Sequence, residues 1–185
     1  SDLAARIDIT TTEGEATKVT TNLPLRAEKS DNELLIKCKG DCRNYKNGKL
    51  TLAIGKEVAM EDLKIRDTVG DININLSNNV NEIDVKNFVG ELRVKRLKSK
   101  SLSLAAFIGD VELEISSLEG FTVKNGVGDI NIKLPENLRV EVTSESMLSK
   151  LNTEGNVYQG DRSLEFEMRN IIGRVKIKKD EGGAG

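Results

Sequence analysis

A five-residue word recurs along this 185-residue chain: Val69-Gly70-Asp71-Ile72-Asn73, Val89-Gly90-Glu91-Leu92-Arg93, Ile108-Gly109-Asp110-Val111-Glu112 and Val127-Gly128-Asp129-Ile130-Asn131. Its glycines stand 20, 19 and 19 residues apart, and Ile172-Gly173-Arg174-Val175-Lys176 repeats it after a gap of 45. A fixed period of this length means one small supersecondary unit stacked on copies of itself, which is how a solenoid is written.

Aligned on the glycine, the other positions fall into columns. Seven and five residues before it stand Leu63/Ile65, Ile83/Val85, Leu102/Leu104, Phe121/Val123 and Phe166/Met168. Two, four and six residues after it stand Ile72/Ile74/Leu76, Val111/Leu113/Ile115 and Ile130/Ile132/Leu134. Apolar residues at every second position mark a strand with one buried face, and nothing comparable recurs at helical spacing. Val69, Val89, Ile108, Val127 and Ile172, one place before the glycine, read as a further inward column. From there to the next apolar position is a step of three, so the Gly-Asp pair is expected to shift the inward phase at a corner. A polar column, Asp67, Asn87, Asn125 and Asn170 with Ala106 as its exception, stands three before the glycine and predicts a turn there.

Stacked as parallel rungs, the outward columns Asn73, Arg93, Glu112, Asn131 and Asn75, Lys95, Glu114, Lys133 set neutral or opposite charges side by side, as cross-strand pairing favours. The expected fold is therefore all-β: a parallel β-solenoid of about five coils, each of roughly 19–20 residues, with capping β-hairpin strands at its N-terminal end. Residues 1–179 are expected to form one domain, with capping strands at 6–54, regular repeats at 55–134 and irregular coils at 135–179. In the first of these, Ile7/Ile9, Leu34/Ile36/Cys38 and Leu50/Leu52/Ile54 alternate, and Asn47-Gly48 carries a hairpin signal. Between Leu134 and Leu164 about one extra coil accounts for the long gap, and the Gly-rich 180–185 is an expected disordered tail.

Composition narrows the chemistry. There are 28 basic and 30 acidic residues, net charge −2, with no basic block and only 3% aromatic residues, so nucleic acid is not an expected partner. The longest apolar run, 104–108, is far short of a membrane span, so any membrane attachment is expected through a segment outside these residues. There is no histidine, the usual general base and commonest metal ligand. No cofactor is implied.

Leu50-Thr51-Leu52-Ala53-Ile54, Leu63-Lys64-Ile65 and Val69-Gly70-Asp71-Ile72 together resemble the bacterial and archaeal putative-adhesin family, also called the toastrack domain. The run Val127-Gly128-Asp129-Ile130-Asn131-Ile132-Lys133-Leu134-Pro135, then Val140-Glu141-Val142 and Ile172-Gly173-Arg174-Val175-Lys176-Ile177, is similar to that family's second half. The resemblance spans 7–179. It implies a parallel β-solenoid, often joined to membrane or envelope-stress modules, and supplies no catalytic residues. Cys38/Cys42 and Arg174 depart from the family pattern.

Two constellations stand out as candidates. Asp71, Glu91, Asp110 and Asp129 form an acidic column that either ladders a cation or a partner, or caps the backbone N–H groups of the corner. Cys38 and Cys42 are either two ordinary thiols or a disulfide, the latter favouring an oxidising compartment. The expected role is a non-enzymatic interaction or scaffold module of the cell envelope, favoured over the cytoplasm, contacting a protein or envelope polymer through its flat faces or a second copy through its terminal coils. The alternatives are a carbohydrate-active enzyme on the same scaffold and a cation-stabilised surface protein.

Overall fold

The computed structural model describes residues 3–30, 33–40, 42, 45, 47–145 and 148–179, and the expected disordered tail lies outside these. The first six strands are β1 (Leu3–Ala4), β2 (Arg6–Thr12), β3 (Lys18–Thr21), β4 (Leu25–Lys29), β5 (Leu34–Cys38) and β6 (Lys49–Gly55). The regular repeats supply β7 (Met60–Val69), β8 (Ile72–Asn75), β9 (Val80–Val89), β10 (Leu92–Ile108), β11 (Val111–Ser117), β12 (Gly120–Val127) and β13 (Ile130–Leu134). After them come β14 (Leu138–Glu145), β15 (Leu148–Glu154) and β16 (Arg162–Lys179).

The coils are flattened, so each contributes a strand to two facing walls. One wall runs β1, β7, β9, the second half of β10, β12, the first half of β16, then β14, all parallel. The other runs β6, β2, β8, the first half of β10, β11, β13, the second half of β16, then β15, again parallel. The long strands β10 and β16 turn from one wall into the other. The glycine words stack in register: Arg93 lies between Asn73 and Glu112, and Glu114 pairs Lys133, as the outward columns require.

Between the walls lies one continuous apolar core. Ile83, Val85, Leu102 and Leu104 enter it from one side and Leu92, Val94, Val111 and Leu113 from the other, all effectively sealed from water. Aromatic rings stack along the column: Phe88 on Phe107 at 5.2 Å and Phe121 on Phe166 at 4.7 Å between centroids.

The corner differs from the expected one. The residues just before the glycine do not face the core; they point to solvent, and the buried residues stand one place earlier: Thr68, Phe88, Phe107, Gly126 and Ile171. The cause lies in the polar column. Asp67, Asn87, Ala106, Asn125 and Asn170 all adopt φ of 52 to 54°, the left-handed region. One left-handed residue inside a strand breaks the two-residue alternation, so the inward step of three falls there and not at Gly-Asp. Gly126 occupies its inward place because the Phe107 ring fills the space its side chain would need; a Cβ there would lie 2.2 Å from a ring carbon.

Stacking order also departs from chain order at both ends. The extra coil, β14 and β15, does not sit between the fourth and fifth words. Phe166 is beside Phe121 and Ile172 beside Val127, so β16 stacks directly on β12 and β13, and β14 and β15 add to its far side. Lys179 secures this return by donating from Nζ to the carbonyls of Glu136 at 2.7 Å and Gln159 at 2.9 Å, in the loops flanking β14 and β15. At the other end β2 inserts between β6 and β8. Asn47-Gly48 is therefore no hairpin tip. The register Arg6 to Lys49 makes it a coil corner beside Ala5, with Asn47 left-handed at φ 59°. The hairpin at this end is β4–β5, and β3 runs antiparallel on β6.

Candidate functional site

Because the left-handed residue inverts the phase, every coil turns one branched apolar side chain outward at the same corner. Val69, Val89, Ile108, Val127 and Ile172 are 44 to 58% exposed and adjacent in register. At strand spacing they form a stripe roughly 19 Å long. They are five of the eight large hydrophobic residues exposed among the described residues, so the exposed apolar surface is gathered in one line and not scattered. A contiguous apolar stripe on a surface is a candidate interaction site. Apolar periodicity found this column but assigned it to the core; the left-handed preference of its Asn/Asp neighbour was the signal that would have turned it outward.

A groove runs beside the stripe. The outward aliphatic residues form one wall, the left-handed column Asp67, Asn87, Ala106 and Asn125 forms the other, and Thr68, Phe88 and Phe107 lie at its floor. The polar wall is a hydrogen-bonded rail. Asn87 donates from Nδ2 to Asp67 Oδ1 at 2.8 Å, and Asn170 donates from Nδ2 to Asn125 Oδ1 at 3.0 Å. Ala106 interrupts the rail between Asn87 and Asn125. A left-handed alanine also carries a conformational cost that asparagine largely escapes. Ala106→Asn should therefore raise the melting temperature by roughly 2–4 °C, measured by thermal circular dichroism.

On the other side of the stripe the acidic column is brought into line, but every carboxylate has at least one oxygen engaged. Asp71 Oδ1 accepts from the Glu91 N–H at 3.2 Å, Asp110 Oδ1 from the Asp129 N–H at 3.0 Å, and Asp129 Oδ1 from the Arg174 N–H at 2.9 Å. Each carboxylate thus caps the corner of the next coil. Glu91 instead pairs with Arg93. Among the described residues no three Cys, Asp or Glu side chains come together to hold a metal ion. Arg174, which breaks the acidic word, closes the column with an ion pair to Asp129 Oδ2 at 2.5 Å.

The Arg174 guanidinium and N–H hold the Asp129 carboxyl below the usual carboxylate range. A depressed carboxyl pKa contributes stability that is present above the ordinary carboxyl range and lost as pH falls through the lowered value. In Arg174→Ala the Asp129 titration, followed by carboxyl ¹³C NMR, should move up toward the ordinary range. An unmoved titration would mean that Arg174 is not its source.

Cys38 and Cys42 are joined by a disulfide, Cα atoms 6.0 Å apart, that closes the segment after β5. Cys42 is buried. No helix among the described residues is long and apolar enough to cross a membrane.

Two solved structures share this architecture. One is described as a putative cell adhesion protein from Clostridium sporogenes ATCC 15579; it is 15% identical, with a TM-score of 0.53 over 97% of this chain and 90% of that one. The other is described as a putative adhesin from Bacteroides fragilis NCTC 9343, also 15% identical with a TM-score of 0.53, over 95% and 91% of the two chains. At that identity the likeness speaks for the fold. None of the curated proteins matches the chain. The Toastrack DUF4097 family model matches residues 5–182, nearly the whole length: the chain belongs to the Toastrack DUF4097 family.

Proposed function

We propose that this chain is a non-enzymatic, adhesin-like interaction module that engages an envelope polymer or surface protein through the apolar stripe at its glycine corner. The observation that carries the reading is the row of five half-exposed branched side chains. Each stands about half exposed, and together they present a repetitive apolar line on a rigid array. The two structural neighbours, described as adhesion proteins, support the same class of role. Extracytoplasmic placement belongs to the proposal, supported by the Cys38–Cys42 bridge, since disulfides persist in oxidising compartments.

The test is retention. Beads carrying the protein should hold purified cell-wall sacculi or intact bacterial cells. The double variant Ile108→Asp/Val127→Asp, with an unchanged circular dichroism spectrum, should lose that retention, whereas Glu112→Ala on the opposite wall should keep it. Equal retention by all three proteins would remove the stripe from the function.

A further inference from the structure

The two hydrogen bonds of the interrupted rail give it a polarity, set by chemistry at the Asp67 carboxylate and by the amide orientation at Asn125 and Asn170. Asp67 is a carboxylate and can only accept, so Asn87 must turn its Nδ2 toward Asp67 and its Oδ1 toward the next coil, where Ala106 stands. From the other side, Asn125 offers Oδ1 to Asn170 and therefore turns its Nδ2 back toward Ala106. Neither Asn87 Oδ1 nor Asn125 Nδ2 has a hydrogen-bond partner among the described residues. The gap is one rung wide. The rungs of Asn87 and Asn125 are two strand spacings apart, about 9.6 Å, and the acceptor and donor that face each other between them leave the place a single amide fills in an unbroken amide ladder.

The remaining walls of this notch are apolar. Phe107 is at the floor and Ile108, the most exposed member of the stripe at 58%, stands opposite the rail. The group that fits must therefore donate along the solenoid axis in one direction, accept in the other and carry apolar matter at its inner end. A trans secondary amide has its N–H and C=O opposed and its two carbon substituents opposed at right angles to them. With the N–H on Asn87 and the C=O on Asn125, one substituent points out to solvent and the other inward onto Phe107 and Ile108. A peptide backbone would need to continue inward through the floor of the groove, and a primary amide such as a glutamine side chain would leave the inner end empty. A pendant group ending in methyl does neither. The geometry points to the acetamido group of an N-acetylated amino sugar: we infer that the Ala106 notch is a subsite for N-acetylhexosamine residues of an envelope glycan. This rests on the reading of the corner as the contact surface and names the chemistry that it selects.

The probe is chitotetraose, the four-unit oligomer of N-acetylglucosamine, titrated into ¹⁵N-labelled protein with the side-chain amides of Asn87 and Asn125 observed by NMR. Both should shift with saturation. Cellotetraose, which lacks the acetamido group, and the fully deacetylated chitosan tetramer should leave them in place. Ala106→Asn fills the notch while completing the rail, and Asn125→Asp replaces the required donor with an acceptor of the same shape. Each should weaken chitotetraose binding at least roughly tenfold, with the fold intact by circular dichroism. Equal shifts with cellotetraose, wild-type affinity in Ala106→Asn, or shifts produced by a glutamine-rich peptide but not by chitotetraose would each overturn the assignment. Retention on sacculi that is lost in Ile108→Asp/Val127→Asp but kept in Ala106→Asn would overturn it too, leaving the stripe as the contact surface.

Discussion

Leu113→Asp is expected to unfold the array outright, whereas Glu112→Ala, one residue earlier, is expected to be close to silent. Leu113 sits on β11 with 2% exposure, between Val94 on β10 and Ile132 on β13, both sealed in the same core. A carboxylate placed there has no cation or donor within the apolar column, so it must either be buried uncompensated or be protonated at a cost. The loss should exceed about 4 kcal/mol, against a total stability of about 5–15 kcal/mol for an ordinary domain. Because each coil rests on its neighbours, a breach in a central rung also removes the surface on which the next coils pack. Glu112 has its side chain 56% exposed and, among the described residues, makes one ion pair, to Arg93 at 3.4 Å, which at such exposure is worth at most about 1 kcal/mol. Chemical denaturation of the two variants decides the matter. Similar midpoints for both would mean that β11 faces the other way.

The contrast between neighbouring residues also explains how far the fold could be read from the sequence. Where the alternation is strict and the side chains are branched or aromatic, as in Leu102/Leu104 and Ile130/Ile132/Leu134, the buried face was legible without a structure. The rungs themselves were fixed by the glycine spacing, and the charge sequence along Asn73, Arg93 and Glu112 agreed with the register later seen. The corner was not legible in the same way. Hydropathy cannot distinguish an inward Val89 from an outward one, and the residue actually buried there varies from Thr68 to Phe107 to Gly126, a column with no common character. Only the backbone decides, through a left-handed residue whose signature is clear as Asn125 and invisible as Ala106. The column that forms the stripe was therefore legible in the sequence, but as part of the core and not as a site.

Stacking order was hidden for a different reason. Periodicity measures distance along the chain, whereas the rung on which β16 lands is set by which surface it completes. The fifth glycine word brings Phe166 to Phe121 and Ile132 to Ile177, so it fits the fourth word's coil better than the irregular segment between them does. Ala4-Ala5-Arg6-Ile7 and Asn47-Gly48-Lys49-Leu50 are corners in register with each other at the start of the same wall. The first lacks the glycine, and the second lies outside the period.

The glycine of the word yields the sharpest test of the stacking itself. Gly109→Ala is expected to destabilise the protein by at least about 3 kcal/mol, whereas Gly120→Ala, eleven residues on, should change stability by no more than about 0.5 kcal/mol. At Gly109 two penalties coincide. Its φ of 138° lies in a region that residues with a Cβ rarely enter, and a Cβ built there would stand 1.9 Å from the Gly90 carbonyl oxygen of the neighbouring coil. The clash is with backbone, which cannot swing aside as a side chain could. The same relation links Gly90 to Gly70, Gly128 to Gly109 and Gly173 to Gly128, so the coils approach through a continuous column of bare Cα atoms. Gly120, at the start of β12, has an ordinary φ and open space where its Cβ would lie. The difference between the two variants therefore measures coil-to-coil approach and not glycine replacement in general. If both lost stability equally in urea denaturation, the glycines would be serving chain flexibility, and close approach of the coils would not be what the glycine column provides.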